Sequence, residues 1–214
     1  MKIQSCFRLS TLTAIWLSLL FLCPVSASAE EDNTFGGWEF TEVYHNFGKS
    51  GFFGSVYFEH DNYQYKRMEC WYIRTTAGYK INSWLKGDVC YDYMREPGQN
   101  VHRALFDLTE TLKQGNLSVA LRERYVSSWT PGLDERSDVL RTRLKVQYAI
   151  PQTRFKPYLA MEIFTWDKWK KTRHYVATTY TINEHVEAEA YYLYYTFAGK
   201  PAEHVIGVGL NFEF

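Results

Sequence analysis

Beyond residue 29 the sequence has no apolar run long enough for a helix to cross a bilayer, which excludes a helical membrane protein. It has no excess of charge. The 24 Lys and Arg are matched by 24 Asp and Glu, so there is no bulk attraction for nucleic acid. Cysteine is scarce: of four, Cys6 and Cys23 fall before residue 29, and the remaining Cys70 and Cys90 do not make a disulfide framework. No Pro-, Gly- or Ser-rich linker and no low-complexity stretch divides the chain, so one domain is expected. Catalytic and ligating signatures are also missing. There is no Gly-x-Ser-x-Gly elbow, no His-Glu-x-x-His and no Cys-x-x-Cys, and the sequence offers neither a metal site nor a cofactor site.

The amino end carries Lys2 and Arg8, an apolar run from about Leu12 to Val25, and then Ser26-Ala27-Ser28-Ala29. A basic start, a short apolar core and a small-x-small ending describe a secretory signal peptide over residues 1–29, cleaved after Ala29. Cys23 raises a lipoprotein alternative, which the bulky Leu22 before it disfavours. Removal of the signal takes away two basic residues and leaves 22 against 24 acidic ones, a net charge of −2. Residues 30–214 then form the mature domain in an oxidising compartment.

Aromatic residues make up 18% of the chain, an excess that two girdles at membrane interfaces would account for. The last eleven residues, His204 to Phe214, alternate strictly. His204, Ile206, Val208, Leu210, Phe212 and Phe214 share one face; Val205, Gly207, Gly209, Asn211 and Glu213 share the other. This is the period of a strand with one apolar face. The same period recurs upstream. Leu85, Gly87, Val89, Tyr91 and Tyr93 oppose Lys86, Asp88, Cys90 and Asp92, and Leu140, Thr142, Leu144, Val146 and Tyr148 oppose Arg141, Arg143, Lys145 and Gln147. A Lys or Arg at the lipid midplane costs about 2–4 kcal/mol, so the charged face must line the lumen of a barrel. Segment 117–129 conflicts with this rule, since placing Arg122 and Arg124 inward turns Glu123 outward. A bulge there, or a position above the hydrocarbon, would accommodate it.

Extended segments are expected near 35–46, 52–60, 67–80, 84–96, 102–113, 117–129, 137–149, 155–166, 172–182, 186–197 and 204–214. The expected fold is all-β, a transmembrane antiparallel up-and-down β-barrel of 10–12 strands with a cleaved signal peptide. Tight periplasmic turns should alternate with longer outer links. Counting back from the last strand gives an even ten. Segment 35–46 would then either split at Gly36-Gly37 to give twelve, or lie at the mouth or in the lumen. If Lys80 faces Lys86, Cys90 lies opposite Thr76 and Cys70 opposite Glu96. The thiols are then about 20 Å apart along the strands, beyond the roughly 7 Å Cα separation that a disulfide allows.

At this point the chain resembles the outer-membrane proteins grouped as domain-of-unknown-function family 2490. The resemblance rests on Leu121-Arg122-Glu123-Arg124-Tyr125, Leu140-Arg141-Thr142-Arg143-Leu144, Phe155-Lys156-Pro157-Tyr158 and His204-Val205-Ile206-Gly207-Val208-Gly209. It implies a Gram-negative outer-membrane barrel and brings no activity and no catalytic residue.

The strongest constellation is Arg122, Arg124, Arg141, Arg143 and Lys145, with Asp107, Glu162, Glu187 and Glu189 expected to face it across the lumen. Two readings apply: a charge network that ties the walls together, or a narrow channel for anions or small polar solutes. Gly209, Phe212 and Phe214 fit a carboxy-terminal signal to the barrel-assembly machinery. The expected partners are that machinery and outer-membrane lipid, with no nucleic acid, and the expected state is a monomer. The alternative from another class is a lipid-modifying hydrolase with His174 and Ser127 or Ser128 at the barrel rim. A third is a soluble lipocalin-like binder, which needs an apolar interior and a polar exterior.

Overall fold

Every regular element in the computed structural model, which describes residues 34–63, 67–134, 136–165 and 171–214, is a strand. The signal peptide and its cleavage point lie outside the described residues. The alternating segments become eleven strands: β1 Thr34–Asn46, β2 Phe52–Tyr63, β3 Arg67–Lys80, β4 Leu85–Glu96, β5 Gln99–Gln114, β6 Leu117–Trp129, β7 Arg136–Tyr148, β8 Phe155–Thr165, β9 Lys171–Thr181, β10 Val186–Phe197 and β11 Lys200–Glu213. Each pairs with its sequence neighbours, and β1 closes the barrel against β11. The count falls within the expected 10–12, but the even number does not hold. Segment 35–46 is neither split nor displaced into the lumen; it is β1, a wall strand.

An odd number of strands in a meander makes the first and last run the same way. The β1–β11 seam is therefore parallel, with Phe40 beside Gly209 and Tyr44 beside Glu213, whereas neighbours in sequence pair antiparallel. Parallel ladders pair every backbone group with slanted bonds, and a wall in lipid needs those groups paired whichever way the strands run. The seam ends with Phe214 N donating to the Tyr44 carbonyl at 3.0 Å and Asn46 N donating to the Phe214 carbonyl at 3.1 Å.

Connection length does not separate the two mouths as expected. The mouth holding Phe214 has links of two to six residues; at the mouth holding Thr34, β4–β5 and β10–β11 are joined by two residues each. In the two-residue β5–β6 turn Gly115 takes φ 58°, the left-handed first position that a type II′ hairpin turn demands.

The faces sort as the alternation requires. Phe58, Ile73, Val89, Phe106, Leu159, Val176, Ile206 and Val208 are exposed on the outer wall. Asp92, Asp107, Arg124 and Glu162 are buried inside. This is the reverse of a soluble protein and of a lipocalin-like binder, and it is the arrangement that hydrocarbon solvent selects. Glu123 does face outward. The β5–β6 and β6–β7 registers run past it without a bulge, between Leu108 and Thr142. Thr142 Oγ1 donates to its Oε2 at 2.7 Å, while Oε1 has no partner.

Candidate functional site in the lumen

Two kinds of side chain fill the lumen. The first is a cluster of rings and aliphatics, Trp38, Tyr158, Tyr175, Tyr191, Leu193, Tyr195 and Val205, with Phe40 packed against it. The close packing explains two small residues of the last strand. A Cβ on Gly209 would collide with the Phe40 ring, and one on Gly207 with the Tyr191 ring.

The second kind is charged, and register brings it together. On β6 and β7, Arg122 lies directly opposite Arg143, and Arg124 directly opposite Arg141. Like charges in opposing positions destabilise a sheet unless compensated. Compensation comes from the sides. Asp107, opposite Arg124 on β5, accepts from Arg124 Nε at 2.7 Å and Nη2 at 2.5 Å. Glu162 on β8 lies between Arg143 and Arg173 in register. Its Oε1 accepts from Arg122 Nη2 and its Oε2 from Arg141 Nη2, both at 2.8 Å, with Arg173 Nη1 at 3.8 Å. The Glu162 side chain is 1% exposed, so these guanidiniums are what balance its charge.

Two cations of this wall, Arg143 and Lys145, are left without an ion pair among the described residues. Among the described residues no carboxylate lies within ion-pair distance of Arg143; its guanidinium carbon sits 4.7 Å from the Tyr175 ring centroid. Lys145 lies over the Tyr158 ring at 3.9 Å. The Nε atoms of Arg122, Arg141, Arg143 and Arg173 are buried and unpartnered. A cavity of about 350 Å³ opens beside them, bounded by Arg122, Arg124, Arg141, Arg143, Arg173 and Glu162 on this wall. On the far wall it meets Glu42, Tyr57 and Glu59, and it runs to Tyr44, Lys86 and Asn211 near the Phe214 mouth.

The nine charged residues expected in the lumen all point into it, but the acidic ones do not stand across from the basic ones. Asp107 and Glu162 pair sideways, with arginines one or two strands away. Glu187 binds Lys156 and Thr181, and lines a separate recess at the Phe214 mouth with His185 and Asn211. Glu189 accepts from Tyr158 Oη at 2.5 Å.

Sequence reasoning missed a second charged knot. Asp92 is fully buried, accepts from Arg74 Nε and Nη2 at 2.7 and 2.8 Å, and lies 2.7 Å from Arg103 Nη2. Parity on β3, β4 and β5 already put all three inward, which was the signal available. It also missed that Asp88, Cys90 and Asp107 hold metal-ligating atoms within 4.8 Å of one another. A cation there would compete with Arg124 for Asp107. Cys70 and Cys90 are free thiols, with Cys90 opposite Thr76 as the register argument required.

The hydrolase alternative finds no geometry here. His174 is on the outer face of β9, with Nε2 3.1 Å from Thr172 Oγ1. Ser127 is on β6, engaged with Asp138 and Arg136, and Ser128 lies opposite Arg103. Strands β7 and β8 separate both serines from His174.

The family described as "Protein of unknown function (DUF2490)" matches residues 24–204. No curated protein matches the chain. Among solved structures, the NanC porin aligns at 13% identity with a TM-score of 0.51, covering 74% of this chain and 85% of that one. The KdgM porin aligns at 16% identity with a TM-score of 0.49, covering 74% and 82%. Likeness at this identity is likeness of fold.

Proposed function

The chain belongs to the DUF2490 family, and from its closed barrel with a polar inside we propose that it is a non-catalytic outer-membrane protein of a Gram-negative envelope. Its lumen is a narrow, side-chain-lined passage for small polar solutes. The observation that carries this reading is the charged cavity beside Arg143, which reaches residues at the Phe214 mouth. A barrel serving only as a wall has no need to keep a guanidinium without an ion pair beside open space. Residues 1–29 direct export and are removed. The closing strand presents Gly209, Phe212 and Phe214 to the assembly machinery, and the protein works as a monomer in lipid.

The ring cluster in the lumen favours a second reading, in which the interior is permanently filled and the charges only brace the wall. Planar-bilayer recording separates the two. The passage predicts small, intermittent conductance, far below that of an open 16-strand porin. Trp38→Ala combined with Tyr195→Ala should increase it. A silent wild type that stays silent in the double variant would leave the bracing role alone.

A further inference from the structure

Of the five lumen guanidiniums of the β6–β9 wall, Arg124 pairs with Asp107; of the other four, three share one carboxylate, and what the four lack is an anion. Arg122, Arg141 and Arg173 all converge on Glu162, and among the described residues Arg143, opposite Glu162 in register, has no carboxylate within ion-pair distance. By ion pairs alone these four positive charges meet one negative, a local excess of three, with Glu42, Glu59 and Glu189 lining the same cavity out of ion-pair reach. Arginine keeps its proton in proteins, so the excess is not relieved by titration. Repulsion between Arg122 and Arg143, directly opposed in register, adds to it. Of the five buried arginine Nε donors without acceptors among the described residues, four lie along this wall. The adjoining cavity of about 350 Å³ has the room of several waters, each of which takes about 30 Å³ in the liquid.

We infer that this wall is a binding site for one compact dianion whose paired oxygens, phosphate or dicarboxylate, are taken by Arg143 together with Arg122, Arg141 and Arg173. The chemistry follows from the donors. Guanidinium forks match two oxygens of one oxyanion side by side, which a point charge such as chloride does not exploit. Glu162 then acts as the resident competitor: it holds the wall together when the site is empty and sets how tightly a visiting dianion is held. The Tyr175 ring under Arg143 fixes the guanidinium plane without using its donors. The inference rests on the lumen being open to solutes, but it does not require that they cross.

Isothermal titration of the folded, detergent-purified barrel with inorganic phosphate and, separately, with malonate tests it, at constant chloride. Saturable binding of one equivalent is expected, and the arm that saturates names the oxyanion. Arg143→Gln should weaken it by about tenfold, the loss of one charge-assisted contact. Arg143→Lys should fall between the two. Glu162→Gln removes the competitor: the same dianion should bind more tightly, and should restore the variant's heat resistance where sodium chloride of equal ionic strength does not. No saturation by either anion, or Arg143→Gln binding like the wild type, would overturn the site. So would a Glu162→Gln barrel that the dianion fails to rescue, which covers the case in which Arg143 variants do not fold. Binding is read at equilibrium, so a silent barrel that binds dianion would refute the passage and keep the site, and a conducting barrel that binds none would do the opposite.

Discussion

Arg124 and Asp107 face each other across β5 and β6 and are joined by two parallel hydrogen bonds, from Nε at 2.7 Å and Nη2 at 2.5 Å. Both side chains are almost wholly buried, at 6% and 4% exposure. Arg124→Ala should therefore cost about 3–5 kcal/mol, because it strands the Asp107 carboxylate away from water. Arg124→Met with Asp107→Leu should recover most of that loss. Urea unfolding in lipid vesicles, followed by heat-modifiable gel mobility, measures both.

The β1–β11 seam makes a claim about Gly209. Gly209→Ala should weaken closure by about 1–3 kcal/mol through overpacking against Phe40. Phe40→Ala in the same chain should relieve it. If the two losses simply add in the unfolding assay, the residues do not meet.

Phe212 and Phe214 lie on the outer face of the last strand. Their replacement by Ser together should leave export intact and block insertion, because the closing strand satisfies the backbone groups of both seams. Fractionation should find the variant unfolded in the periplasm and degraded. Normal outer-membrane levels would count against this role.

Glu123 costs the barrel stability on its outer face. Glu123→Leu should raise stability by about 1 kcal/mol, because an acidic residue facing lipid costs less than the roughly 2–4 kcal/mol of a Lys or Arg. Thr142→Val should lower it, since it removes the one hydroxyl that donates to the carboxylate. A destabilised Glu123→Leu barrel would mean that the carboxyl has a partner outside this wall.

The strands were legible because a bilayer enforces alternation on one side of every one of them. The pairing of Lys80 with Lys86 followed from a short turn, which fixes register locally. The inward set was legible by parity alone, down to Arg143. Which carboxylate each arginine takes was not, because Arg122 reaches over β7 to Glu162, and lateral reach is not written in alternation. Nor was the meeting of Phe40 with Gly209. It depends on a parallel seam between residues far apart in the chain, and an even count concealed that seam. Glu123 showed as an anomaly, and the structure removed the bulge proposed for it without removing the anomaly.

The parallel seam also gives the molecule sidedness. Eleven crossings deliver Thr34 to one mouth and Phe214 to the other, so a short peptide epitope spliced just before Thr34 and one appended after Phe214 face different compartments. The barrel is bitopic, as a single-pass helix is, and an even-stranded meander never is. Protease added to intact cells should then reach one epitope and spare the other, and which one it reaches fixes the direction in which the whole wall was threaded.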